Sequence, residues 1–157
     1  MIRRAVKKDA SRIAEIMIFA KRKAYRYIFN NDKVSFNEMS VLDLALHYLN
    51  DDNVLENVFV YDDGIVKGMM KIATSNEEYE LCELYVEPFF QGQGIGKALV
   101  KELIKNTKAN NAKAVFLWVL EENVNAIKFY TSLGFKPDGE RKPEIEDVYL
   151  CKYVLTV

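Results

Sequence analysis

The chain has 157 residues, 50% of them apolar and 29% charged, with a formal net charge of -1. That length suits one domain around a single core, and the composition is that of an ordinary globular protein. No excess of Lys and Arg points to nucleic acid or an anionic membrane as partner, no run of 18 apolar residues suggests a spanning helix, and two cysteines without a CxxC partner indicate neither a disulfide framework nor a zinc site.

Residues 2–6 read as a short first strand. Asp9 is a candidate N-cap for a helix carrying Ile13, Ile16, Met17, Ala20 and Ala24 at three- and four-residue spacings. From Tyr25 to Phe36 aromatic residues and turn formers predict a connector, and Ser40 caps a second helix over 41–49, closed by the polar residues 50–53. Residues 57–61 and 65–73 form a predicted hairpin about Asp62-Asp63-Gly64, with Gly68 marking a bulge or a close backbone approach. A loop at 74–78 leads into a strand over 81–86, and a helix over 95–109 follows. Residues 114–120 are a continuous apolar run, the pattern of a buried central strand. Asn123 caps a helix reaching Leu133 with Gly134 as its C′ residue. A short strand at Phe135, a polar loop at 136–146 and a closing strand at 148–154 complete the chain.

The order predicts an α/β (mixed α+β) single domain over 1–157, with one central mixed sheet and helices on both faces. Its segments are a variable region at 1–53, the hairpin, fourth strand, loop and helix at 57–110, and a strand–helix–strand portion at 114–157. The N-terminus lacks a signal-peptide apolar core, so the expected location is cytoplasmic. The last strands, 135–154, lie near a sheet edge, which offers a route to a homodimer.

The candidate site lies where a strand, a glycine loop and a helix start follow one another: Gln91-Gly92-Gln93-Gly94-Ile95-Gly96-Lys97. Glycines let successive backbone N–H groups point one way, and the helix adds its partial positive charge, so the stretch can cradle a phosphate. A Walker A loop would need glycine at Gln91 and a hydroxyl at Ala98, and the dinucleotide fingerprint would need glycine at Lys97. Spacing excludes both.

What remains, Gln91-x-x-Gly94-x-Gly96 after Leu84-Tyr85-Val86-Glu87-Pro88, resembles the acetyl-coenzyme A loop of the GCN5-related N-acetyltransferase (GNAT) superfamily. A second block, Asn123-x-x-Ala126-x-x-Phe129-Tyr130-x-x-x-Gly134-Phe135, is similar to the closing strand–helix segment of the same superfamily. The resemblance implies a mostly antiparallel twisted sheet of about seven strands whose fourth and fifth strands splay apart. It implies acetyl-CoA as donor, no metal, and an acyltransferase that moves acetyl to a primary amine of a small molecule or peptide by direct attack, through a tetrahedral intermediate. The alternative is an acetyl-CoA-binding sensor or complex subunit without turnover.

The implied coenzyme contacts are Gln91, Gly92, Gln93, Gly94, Ile95, Gly96 and Lys97 for the pyrophosphate, and Leu84, Tyr85 and Val86 for the arm and the acetyl carbonyl. Asn123, Asn125, Ala126 and Tyr130 complete the set, with Tyr130 the implied acid for the departing thiolate. Base candidates are Glu80 and Glu83; alternation would place Glu80 with Cys82 and Leu84, and Glu83 with Leu81 and Tyr85. Tyr25, Tyr27 and Phe29 are expected acceptor-pocket walls, helped by the loop at 136–146. His47 is expected to have a surface or half-buried role and Cys82 to be a core thiol. No residue pattern separates polyamine, amino acid, aminoglycoside and protein acceptors.

Overall fold

The computed structural model describes every residue except Asp52, Asn76 and Glu146, and the backbone alone of Val34. The expected polar closure at 50–53, the loop at 74–78 and the loop at 136–146 each include one residue outside that set. In chain order the elements are β1 (Ile2–Arg4), α1 (Ala10–Phe29), α2 (Val41–Asn50), β2 (Val58–Asp62), β3 (Val66–Thr74), β4 (Glu78–Val86), α3 (Ile95–Ala109), β5 (Ala114–Leu120), α4 (Val124–Ser132), β6 (Lys136–Ile145) and β7 (Val148–Thr156). They form one seven-stranded sheet in the order β1-β2-β3-β4-β5-β7-β6, mostly antiparallel with β4 and β5 parallel. This is the expected architecture.

Two compact units divide the chain. The first comprises Met1–Lys71 and Glu83–Val100. Its core comes from the apolar face of α1, where Ile13, Ile16 and Met17 pack with Tyr48 of α2 and with Val58, Val60 and Met69 of the hairpin. Burying each such side chain contributes roughly 1.5–3 kcal/mol. Gly64 turns the hairpin at φ 105°, a conformation that favours glycine. Gly68 is a close approach: a Cβ there would lie 2.9 Å from Ile95 Cγ2 and 3.2 Å from the Tyr85 carbonyl oxygen. The register also shifts between Tyr61 and Asp62, opposite Gly68 and Val66.

Asp9 departs from the expectation of a capping side chain. Its carboxylate makes no cap bond to α1; it accepts from Val6 N–H (2.9 Å) and from both Arg3 terminal nitrogens (2.7 and 2.9 Å). Arg3 also donates to Asp62 at 2.7 and 3.0 Å, so one guanidinium ties β1 to the start of α1 and the end of β2. These hydrogen bonds hold the Asp9 and Asp62 carboxyls below the usual carboxylate range. A carboxyl depressed in the folded state adds stability above its unfolded pKa and loses it as pH falls through the folded value. The thermal midpoint is therefore expected to drop below about pH 4. Asp9→Asn should cost about 2–3 kcal/mol at pH 7 and show a shallower acid loss, measured by urea unfolding across pH.

The second departure is at α1, which continues to Phe29 through the residues expected to form a connector. Tyr25 and Phe29, four apart, meet edge to face at 6.0 Å, and Arg26 pairs with Asp32 at 2.8 Å beyond the helix end. Asn30, at φ 45°, accepts the left-handed C-cap that ends the helix.

The second unit comprises Ile72–Cys82 and Lys101–Val157. All seven residues of β5 pair with β7, whereas the parallel β4–β5 ladder is only three pairs long, from Glu78↔Ala114 to Glu80↔Phe116. The expected polar loop at 136–146 is mostly strand: β6 runs from Lys136 to Ile145, paired with β7 and exposed along its whole length. It is the sheet edge, and edge strands carry charge and proline in place of an apolar alternation, so no strand pattern was visible in its residues.

Candidate active site

The first unit holds the glycine loop. β4 ends at Val86, and Glu87 N–H donates to the Lys67 carbonyl at 2.9 Å, fixing the exit of the strand against β3. The buried Glu87 carboxylate pairs with Arg12 of α1 at 2.9 Å, and Arg12 also donates to the Val66 carbonyl at 3.0 Å. A short turn, Pro88–Phe90, leads to Gln91, whose side chain donates to the Val86 carbonyl (3.1 Å) and accepts from Lys23 (2.8 Å). Gly92 and Gly94 have φ of 80° and 81°, and a Cβ on either would meet nothing within 4 Å.

Ile95, 4% exposed, anchors the first turn of α3 against the space left by Gly68. The first helical bond is Ala98 N–H to the Gly94 carbonyl at 2.9 Å. The N–H groups of Ile95, Gly96 and Lys97 precede it, and such groups have no acceptor inside their own helix. With Gln91, Gly92, Gln93, Gly94 and Lys97 exposed, the loop has the open space and the donors that a pyrophosphate requires.

The same unit contains a cavity of about 470 Å³ lined by residues of α1, α2, β3 and β4. Glu83 lines it, one residue before Leu84, Tyr85 and Val86, and its Oε2 is buried without a hydrogen-bond partner. Tyr48, also in the lining, is 3% exposed and donates its hydroxyl to Met17 Sδ at 2.9 Å. Burial first, and then the negative charge of Glu83, push its phenol well above the ordinary tyrosine range. Lys21 and Lys71 are half-buried in the lining, and the Lys21 ammonium lies 5.5 Å from the Tyr85 ring centroid. His47, read as surface or half-buried, is exposed and borders the same cavity.

Sequence reasoning singled out Glu83 but passed over Lys71 and Tyr48. Lys71 had a visible signal: one charge inside the apolar run Met69-Met70-Lys71-Ile72-Ala73. Tyr25, Tyr27 and Phe29 are not in the lining of this cavity; they sit on the last turns of α1, with Tyr27 84% exposed.

The second unit holds the other implied residues. Asn123 caps α4 as its spacing suggests, accepting from Ala126 N–H at 3.2 Å. Asn125 is exposed and Ala126 half-buried. Tyr130 is half-buried, its ring edge to face with Phe129 at 5.1 Å and with the buried Phe135 at 5.8 Å. Gly134, at φ 97°, turns the chain so that Phe135 N–H returns to the Tyr130 carbonyl at 3.2 Å. Glu80 is half-buried in the short parallel ladder. Cys82, expected to be a core thiol, is exposed because it alternates with the buried Leu81. Among the described residues no cluster of three His, Cys, Asp or Glu could hold a metal ion.

Comparison with known proteins agrees with both motifs. An uncharacterized N-acetyltransferase of Methanocaldococcus jannaschii is 45% identical over 60 residues, 38% of this chain, a match that spans only 26% of that protein's length. The [ribosomal protein bS18]-alanine N-acetyltransferase of Haemophilus ducreyi is 28% identical over 153 residues, covering 90% of this chain and 94% of that protein. In fold, the chain is similar to the PaiA N-acetyltransferase of Thermoplasma acidophilum, solved in complex with coenzyme A, with a TM-score of 0.72 at 20% identity over 97% of this chain and 96% of that one. The model of the acetyltransferase (GNAT) family matches residues 18–135, most of the sequence and both motif blocks, and the chain belongs to that family.

Proposed function

We propose that the protein is an N-acetyltransferase that uses acetyl-CoA to acetylate a primary amine by direct attack. The observation that carries this reading is the buried, unpartnered carboxylate oxygen of Glu83, in a cavity wall on the strand that feeds the glycine loop. An unpaired buried acceptor is costly, and an incoming ammonium satisfies it. Acetyl-CoA supplies the acyl group and a thiol leaving group. Backbone N–H groups of residues 91–97 hold the pyrophosphate, and those of 84–86 polarise the acetyl carbonyl. Asn123 and Ala126 take the arm of the coenzyme. In the transfer Glu83 takes a proton from the ammonium, the C–N bond forms and the C–S bond breaks, and Tyr130 gives a proton to the departing sulfur. The second proton of the new amide nitrogen restores the phenol through solvent, while Glu83 releases its own to bulk water. Glu80 is the weaker base candidate, because its place in the β4–β5 ladder gives it no comparable cavity wall.

The test is thiol release from acetyl-CoA across a panel of amines, with coenzyme binding followed by calorimetry. Glu83→Gln conserves volume and removes the base. It should lower kcat/KM about a hundredfold at pH 7, a deficit that narrows as pH rises and the amine deprotonates in solution, with coenzyme affinity unchanged. Coenzyme binding without release on any amine would favour the sensor reading, and a Glu83→Gln variant of full activity would move the base elsewhere.

A further inference from the structure

The cavity beside Glu83 carries charge of both signs at different depths, and this bears on the acceptor if the acetyltransferase reading holds. Its acidic residues Glu38 and Asp43 are exposed, on the outer side. Inside, the half-buried charges are Glu83, Lys21 and Lys71. Glu83 and Lys71 line one cavity yet form no ion pair with each other, and among the described residues Lys71 has no ion-pair partner at all. Opposite charges at this depth ordinarily pair, because an unpaired buried charge is expensive. Held apart, they are two anchor points of opposite sign. The wall also carries an apolar part, Met17, Ile18, Leu44 and Val54, beside the polar Ser40 and His47.

A polyamine fits this interior poorly: its second ammonium would face two lysines, and like charges brought together are strongly disfavoured. A monoamine without a carboxylate would leave Lys71 without an ion-pair partner. A molecule with an ammonium and a carboxylate satisfies both anchors, and a volume of about 470 Å³ holds one of amino-acid size with an apolar side chain. We propose that the acceptor is a small primary amine that also bears a carboxylate and an apolar side chain, its amine delivered to Glu83 and its carboxylate held by Lys71 and Lys21.

The experiment compares leucine, leucinamide and spermidine as acceptors in wild type, Lys71→Gln and Lys71→Glu, with binding of each amine alone followed by calorimetry. In wild type, kcat/KM for leucine should exceed that for leucinamide by about tenfold or more, the usual scale for a charge-assisted pair. Lys71→Gln should cut that ratio to within about threefold, and Lys71→Glu should invert it and raise turnover of spermidine. Turnover of spermidine or leucinamide at or above that of leucine in wild type overturns the proposal and leaves the acetyltransferase reading standing. So does a leucine preference that survives both Lys71 variants. Leucine binding that depends on Lys71, with no thiol release from acetyl-CoA, supports the pocket assignment and overturns the enzymatic reading instead.

Discussion

Gly94→Trp is expected to raise the dissociation constant for coenzyme A by about a hundredfold or more, roughly 2.7 kcal/mol, while the protein still unfolds cooperatively. Two features of position 94 separate the effects. Its φ of 81° is left-handed, so any side chain costs about 1–2 kcal/mol of strain, or about 2–8 °C in the midpoint for a chain of this size. A Cβ there meets no protein atom within 4 Å, so the side chain would start out in open space beside the start of α3. Gly64→Trp is the control for strain: φ is 105°, nothing lies within 4 Å, and the residue is in the β2–β3 turn. It should lose similar stability and bind coenzyme A normally. Gly94→Trp with wild-type affinity would remove the loop from the coenzyme site.

The parts of this site that were legible in the residues are those in which backbone chemistry restricts side-chain choice. Glycine at 92 and 94 answers to positive φ, Asn123 to the first-turn N–H of Ala126, and Gly134 to the turn after α4. Gly68 stood out for the same reason, since Ile95 and the Tyr85 carbonyl leave no room for a Cβ. Side chains whose meaning depends on distant partners were not legible. Asp9 looked like a cap because acidic residues favour that position, but the Arg3 guanidinium and the Val6 N–H take its carboxylate. The aromatic stretch after Ala24 looked like a connector because its residues are poor helix formers individually, whereas the Tyr25–Phe29 contact and the Asn30 cap extend the helix across it. Of the two base candidates, Glu80 stood slightly ahead of Glu83 in the residues, yet Glu83 is the one that lines the cavity, because alternation along β4 does not say which face borders open space.

Tyr130→Phe is expected to lower kcat about a hundredfold or more with little change in coenzyme affinity, in the range typical of removing a general acid. The substitution is mild for the fold. Phe129 and Phe135 contact the ring, at 5.1 and 5.8 Å between centroids, and phenylalanine keeps both edge-to-face contacts. The return bond from Phe135 N–H goes to the Tyr130 carbonyl, which the variant retains. A change in unfolding free energy above about 1.5 kcal/mol, the size of one net hydrogen bond, would instead reveal a structural role for the hydroxyl. Two kinetic readouts separate proton donation from packing. Solvent deuterium should slow the wild-type kcat, and the variant should lose that isotope effect. An acid that acts on the departing sulfur and not on binding would lose equally in kcat and kcat/KM, and that pattern is the one expected. Turnover unchanged in Tyr130→Phe would assign proton delivery to water or to another residue, and leave Tyr130 as a core aromatic of α4.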